Sequence, residues 1–285
     1  KVLMDARENG DEFCVYKCSF EEKNKWFNFV FEHTDFRHVP EDRKRYILEG
    51  KFWNVAFAIF RNSAIQLNSY TLESFSERDI SILQRFGKVF EQAYIRFLDL
   101  QKAEAQAREA QIEASLERLR SKTMAMHNSH DVGESVATMF DELERLDVKT
   151  KRCGVLIHGN PVNTEVWTAR SNPEGKAALI IGHLDMTIHP LLSGARNSWL
   201  NKESSFTYEL AGEDIKNYFR AINDTKTYPH LFNIETLPSY EYHTDFHFRD
   251  GSIFAFTAEP IPAEALLIFN RFAGVFGQTY RRYLE

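Results

Sequence analysis

The sequence predicts an α+β protein of two related domains, each with an antiparallel sheet and flanking helices, joined by one long helix. Three observations support this prediction. One segment of fourteen residues occurs twice, a long stretch between the two occurrences lacks glycine and proline, and short apolar runs alternate with turn residues elsewhere. The predicted boundaries are 1–99 for the first domain, 100–128 for a helical linker and 129–285 for the second domain.

The repeated segment closes each domain. Residues 85–98 (RFGKVFEQAYIRFL) match residues 271–284 (RFAGVFGQTYRRYL) at eight of fourteen positions, with a constant offset of 186. At the same offset, residues 64–71 align with residues 250–257, and both segments have the pattern of a strand followed by a loop. The first copy has no counterpart of about residues 130–189. We therefore expect either that its beginning lies outside this sequence or that another chain completes its sheet.

The stretch between the repeats predicts one helix from Ser76 to Met126. Residues 88–132 contain no glycine or proline and are rich in the strongest helix formers. Ser76-Glu77-Arg78-Asp79 supplies a capping hydroxyl and acidic groups for the positive end of the helix dipole. Large apolar residues recur every three or four positions in its first part and are expected to pack on the first domain: Leu83, Phe86, Phe90, Ala93 and Phe97.

Small residues at heptad spacing follow in the same helix: Ala103, Ala107, Ala110 and Ala114, with Leu116 on a neighbouring stripe. Because a stripe of alanines alone buries too little surface to hold a helix, these five residues predict a parallel coiled coil in a homodimer. The alternative is a solvated spacer helix that is stiffened by charge pairs.

The second domain mixes helical and strand patterns. Apolar spacing predicts a helix from Val132 to Leu146, and residues 179–187 fit a strand or a helix equally well. The other predicted elements are strands near 153–158, 165–169 and 205–210, a short helix at 212–222, and a hairpin of 240–248 with 252–257. This order indicates an α+β domain built around an antiparallel sheet.

Composition excludes several classes of protein. The net charge of −6 gives no basic surface for nucleic acid, and no apolar run approaches the length of a membrane span. The three cysteines, Cys14, Cys18 and Cys153, lack a disulfide-rich spacing and fit a reducing cytoplasm. We therefore expect a cytoplasmic location, no nucleic-acid partner and no membrane segment in this chain.

The sequence contains no motif of a known catalytic centre. It has no phosphate-binding glycine loop, no nucleophile elbow and no His-Glu-x-x-His. Ser129-His130-Asp131 is similar to the setting of a phosphoaccepting histidine, but no ATP-binding segment follows, so we predict a helix-breaking loop there. We expect that the chain is not an enzyme.

A row of polar residues lies on the strand predicted at 240–248. With a period of two, Glu241, His243, Asp245 and His247 point to one face. This face fits a solvated sheet surface, the wall of a ligand pocket, or a metal site of the His-x-Asp-x-His type. His243, Asp245 and His247 are our candidate ligand-binding residues, and we predict no bound metal.

Residues 102–126 and the two closing helices resemble the connectors of bacterial signalling proteins with tandem GAF-like domains. In those proteins such a helix leaves one sensory domain through an Arg-Phe-x-x-Val-Phe-x-Gln-x-Tyr segment and enters the next. The resemblance implies GAF-like folds, a small-molecule pocket on the sheet face away from the terminal helices, and parallel homodimers. It also implies that the helices carry a conformational change to an output domain, such as a histidine kinase, cyclase or phosphatase, that this sequence does not contain.

The expected function is therefore that of a sensory and dimerisation region. The ligand and any cofactor stay unspecified. One alternative is a structural spacer of the same type of protein that binds no ligand. An enzyme with a metal on His243, Asp245 and His247 is a more distant one.

Overall fold

A computed structural model describes residues 2–71, 73–172 and 177–284. The chain divides into two compact units, Lys1–Gln106 and Ala107–Glu285, and the division falls within the predicted linker 100–128. Lys1 and Glu285, the outer ends of the two predicted domains, lie outside the described residues.

The first unit contains a small antiparallel sheet in the order β1-β2-β3. Its elements are α1 (Val2–Glu8), β1 (Phe13–Cys18), α2 (Phe20–His33), a 3₁₀ turn (Asp35–His38), α3 (Glu41–Glu49), β2 (Trp53–Ile59), β3 (Ala64–Ser69) and the first part of α4 (Glu77–Met124). Ser19 starts α2 with a capping box that it forms with Glu22. The Glu91 carboxylate on α4 accepts hydrogen bonds from the turn between β2 and β3, so this helix is fixed to the hairpin.

The long helix α4 begins and ends close to the predicted bounds. The Ser76 hydroxyl accepts a hydrogen bond from Asp79 N–H at 3.2 Å, and the Asp79 carboxylate accepts from Ser76 N–H at 2.9 Å. This reciprocal cap explains why the helix starts at Glu77. From Ala107 onward the helix belongs to the second unit, where Ile112 and Leu116 are buried.

The second unit contains a larger antiparallel sheet in the order β6-β5-β4-β9-β8-β7. Its further elements are α5 (Ser129–Arg145), β4 (Arg152–Ile157), β5 (Thr164–Ser171), β6 (Ala177–Leu184), α6 (Pro190–Leu200), β7 (Ser205–Ala211), α7 (Gly212–Asp224), a 3₁₀ turn (Ile234–Thr236), β8 (Tyr240–Phe248), β9 (Gly251–Thr257) and α8 (Ala263–Leu284). The predicted α+β class, with antiparallel sheets and a long helix, is confirmed. Of the undecided residues 179–187, residues 179–184 belong to strand β6 and residues 185–187 follow it.

Each face of this sheet buries its own hydrophobic core. On β9, Ile253 and Ala255 pack with α5, α8 and the end of α4. Phe254 and Phe256 alternate with them and pack with α6, α7 and residues 228–237. Because successive side chains of a strand point to opposite faces, β9 contacts both cores along its whole length.

Two details differ from the prediction. Ser129-His130-Asp131 is the first turn of α5 instead of a loop, because the Asn128 side chain caps the helix and accepts a hydrogen bond from Asp131 N–H at 3.2 Å. Helix α6 was not predicted. It starts with Pro190 after the His189 ring, whose Nδ1 accepts from Leu191 N–H at 3.1 Å, and histidine is an unusual cap.

Candidate functional site

The second unit has a small cavity between its sheet and the helices α6 and α7. Its volume is about 30 Å³, which is room for roughly two water molecules. The wall is mostly aliphatic and aromatic, with a few polar groups that come from Arg152, Thr168, Tyr228 and His243. An apolar cavity with a few convergent polar groups is the usual form of a small-molecule site.

A buried ion pair forms one side of this cavity. Arg152 at the start of β4 donates from Nη2 to Oε2 of Glu241 on β8, at 2.9 Å. Lys151 donates from Nζ to the other carboxylate oxygen at 3.1 Å. Arg152 is 9% exposed and Glu241 is 3% exposed, so removal of Glu241 would leave the Arg152 guanidinium buried without its carboxylate.

Aromatic rings surround the Arg152 guanidinium. Its Cζ lies 3.6 Å from the ring centre of Phe256 on β9. The ring centres of Phe219 on α7 and Phe232 lie at 5.0 and 5.5 Å. The rings attract the cation and hold its planar group at the cavity wall.

A second polar pair lies next to the ion pair. His243 Nε2 and Asp245 Oδ2 are 2.6 Å apart, and both residues are buried. The carboxylate accepts from Nε2–H, which leaves Nδ1 as the second polar atom of the His243 ring. Among the residues that the structure describes, this Nδ1 has no hydrogen-bond partner, and His243 lines the cavity. The interpretation of this strand face as solvated is therefore wrong, because α6 and α7 cover it.

The remaining polar groups of the wall are neutral hydrogen-bonding groups. The Tyr228 hydroxyl donates to Thr168 Oγ1 at 3.2 Å. Burial raises the pKa of Tyr228 and of Tyr218, so both phenols stay protonated at neutral pH. The cavity therefore offers hydroxyl and guanidinium groups as well as one ring nitrogen.

A separate chain of hydrogen bonds runs between the sheet and the end of α6. Ser252 Oγ lies 2.9 Å from His158 Nε2 and 2.8 Å from His247 Nδ1. His247 Nε2 lies 3.0 Å from Ser198 Oγ, which donates to Glu203 at 2.6 Å. Because an ionised Glu203 only accepts, each group in turn must donate toward it, and the order is His158, Ser252, His247, Ser198, Glu203.

This chain requires neutral histidine rings. Burial lowers the pKa of His158 to about 4, and it also lowers the pKa of His247. Both rings are therefore uncharged at neutral pH. A second proton on either ring would place a charge in the covered layer, and on His247 it would also add a donor where the chain has an acceptor.

The three candidate ligand-binding residues have different places. His243 lines the cavity, Asp245 holds the His243 ring, and His247 belongs to the chain that ends at Glu203. Sequence reasoning missed Arg152, because a charged residue before an apolar strand usually marks the solvated strand end. It also missed His158 and Ser252, since their contact joins the residue after β4 to strand β9.

The five residues of the predicted dimer helix differ in their exposure to solvent. Ala103, Ala107, Ala110 and Ala114 are exposed on α4. Leu116 is 3% exposed and packs in the core of the second unit. Leu116 therefore packs within the unit, and the alanine stripe alone is on the surface.

No group of three or more His, Cys, Asp or Glu side chains among the described residues has the arrangement of a metal site. The cysteines are free, with Cys18 and Cys153 buried and Cys14 half-buried. Among the described helices, none is both long and apolar enough to cross a membrane.

Comparison with known proteins gives little similarity. No family model matches the chain, and no curated protein matches it. One similar solved structure is the crystal structure of the A. aeolicus nlh2 GAF domain in an inactive state. It has 8% sequence identity and a TM-score of 0.37, over 61% of this chain and 98% of that chain. A likeness of this size does not decide the fold or the function.

Proposed function

We propose that this chain is the sensory and dimerisation region of a bacterial signalling protein, and that its second unit is a GAF-like ligand sensor. The observation that carries the proposal is the small apolar cavity of the second unit, with Arg152 and the unpartnered Nδ1 of His243 at its wall. The internal repeat and the connector-like sequence of α4 add support. The region is proposed to be cytoplasmic and not catalytic.

The wall favours a small planar ligand with a hydrogen-bond donor. The Nδ1 of His243 would accept from that donor, and Phe254 would stack on its plane while Phe256, whose ring lies at 83° to that of Phe254, would meet its edge. The guanidinium of Arg152 would donate to a carbonyl or carboxylate oxygen. Since the cavity of about 30 Å³ is smaller than such a molecule, side chains would have to move on binding.

Strand β9 supplies a route from the cavity to the helices. Phe254 and Phe256 line the cavity, and Ile253 and Ala255, one residue away, pack against the helical layer. A shift of β9 on binding would therefore change the packing of α8 and the end of α4. Such a shift acts as a signal if two packings differ by only a few kcal/mol. The exposed alanine stripe of α4 would pair with a second copy in a parallel homodimer.

The test is a search for a retained small molecule. The protein is purified from a bacterial host, and its mass under native conditions is compared with its mass after denaturation. The proposal expects a stoichiometric excess mass that is lost in Val166→Phe, which fills the cavity, and kept in Val162→Phe, whose site is exposed. Wild-type protein that gains no mass from host extract, and whose melting temperature no planar metabolite raises, would contradict it.

A ligand-free spacer is the second candidate function. The small volume of the cavity favours it, because an unoccupied sensor pocket is usually several hundred Å³. A spacer would dimerise through α4 and give no excess mass in the same measurement. It would also tolerate Val166→Phe without any change in the output of a reporter fusion.

A further inference from the structure

The first unit has an open sheet edge. Among the described residues, β3 pairs only with β2. Phe60 N–H donates to Ser63 C=O at the hairpin, so every second residue of β3 bonds to β2. The N–H and C=O groups of Ala64, Gln66 and Asn68 therefore point away from β2. Such an edge is a template for another strand.

The internal repeat shows what a strand in this position pairs with. At the offset of 186, the three outward residues of β3 correspond to Asp250, directly before β9, and to Ser252 and Phe254 on β9. These residues face β4: His158 N–H donates to Asp250 C=O at 3.0 Å, and Leu156 lies opposite Ser252. The groups that β9 uses to bind β4 are thus the groups that β3 leaves free.

Helix α4, which follows β3, exposes apolar side chains whose counterparts in the second unit are buried. Phe86, Val89 and Phe90 on α4 are 68%, 66% and 49% exposed. Their counterparts on α8, Phe272, Val275 and Phe276, are 0%, 7% and 0% exposed. In the second unit, α5 and the end of α4 cover these residues in one core.

The charges of this face indicate the chemistry of its partner. Arg271 on α8 pairs with Glu113 and, at 2.9 Å from Nη1 to Oε1, with Glu109. Arg85 is the counterpart of Arg271 and is exposed. Lys88 adds a second exposed cation to the same stretch of α4. Two copies meeting through this face would oppose like charges, whereas a helix with an acidic pair four residues apart would complement them.

We propose that the outer edge of β3 and the Phe86–Phe90 face of α4 bind one polypeptide segment that is not a second copy of this chain. The segment has an antiparallel strand and an amphipathic helix with an acidic pair, as residues 107–157 have in the second unit. It binds by strand addition and by burial of an apolar helix face. This binding goes beyond the proposed sensing function and is independent of it.

The test uses the whole chain and one probe, a polypeptide of residues 107–157 added in trans. Amide hydrogen exchange at residues 64–69 is expected to slow by about tenfold or more when the probe is present, because these amides gain partners. The double variant Phe86→Asp, Phe90→Asp should abolish this protection. Phe29→Asp, at a site on α2 that is 59% exposed, should leave it unchanged. A probe with Glu109→Lys and Glu113→Lys should protect less.

Two results would overturn the proposal. One is unchanged exchange at residues 64–69 at saturating probe, with the variants shown to be folded by circular dichroism. The other is self-association of the chain without probe that Phe86→Asp, Phe90→Asp abolishes, since a second copy would then occupy the face. Loss of small-molecule binding in the second unit would leave the proposal intact, so the two proposals fail separately.

Discussion

Nδ1 of His247 lies 2.8 Å from Oγ of Ser252, and this hydroxyl joins two histidines of different segments into one chain of hydrogen bonds. The chain closes the layer between the sheet and the end of α6 without a net charge on either ring. Its dependence on neutral rings leads to the first prediction.

We predict that acid weakens the second unit through His158. Its folded-state pKa of about 4 is below the ordinary value of 6.5, so the folded protein favours the neutral ring. The stabilisation is fully present above pH 6.5 and is lost as pH falls toward 4. The loss is about 3 kcal/mol in the free energy of unfolding. Urea unfolding of the wild type and of His158→Leu at several pH values measures it, and equal slopes against pH in both proteins would contradict it.

The ion pair of the cavity wall gives the second prediction. Glu241→Leu leaves the buried Arg152 guanidinium without its carboxylate and should lower the free energy of unfolding by about 3–5 kcal/mol. Arg152→Met together with Glu241→Leu should cost much less, because no charge stays buried. Lys151→Ala is the control, since Lys151 is partly exposed. Chemical denaturation measures all three, and additive losses in the double variant would refute the pairing argument.

The third prediction concerns the alanine stripe of α4. If the stripe forms a parallel coiled coil, Ala107→Glu with Ala114→Glu should convert the dimer to a monomer, because it places like charges in the seam. Ala105→Glu is the matched control, since it is exposed on the same helix but lies off the stripe. Light scattering after size exclusion gives the mass. A wild-type monomer at micromolar concentration would rule out this dimer.

The fourth prediction compares two helical glycines, Gly87 on α4 and Gly274 on α8. They occupy neighbouring positions when the two copies of the repeat are aligned. A Cβ at Gly87 would overlap the Phe60 ring and contact Ala58, whereas a Cβ at Gly274 would meet no atom within 4 Å. Gly274→Ala should therefore stabilise by about 0.5–1 kcal/mol through helix propensity. Gly87→Ala should destabilise by about 1–3 kcal/mol through overpacking. Thermal melts of both variants measure the two signs, and a gain in both would contradict the packing at Phe60.

Local rules predicted much of this fold from the sequence. The bounds of α4 could be predicted because composition and the Ser76 cap are local properties. The facing of His243 and Asp245 on β8 follows from strand alternation alone. Their burial could not be predicted in that way, because it depends on α6. Propensity rules do not indicate this helix, since a histidine caps it and Gly194 lies within it. The contact of Arg152 with Glu241 likewise joins residues that only the pairing of β4 and β8 with β9 brings together.

The small volume of the cavity would also affect the rate at which a ligand binds. A molecule larger than roughly two waters enters only after the wall has opened. If the second unit is a sensor, its observed binding rate would level off at high ligand concentration, at the rate of that opening. The speed of the response would then be a property of the packing around Arg152 and Phe256, and the ligand concentration would set only how often the open state is captured.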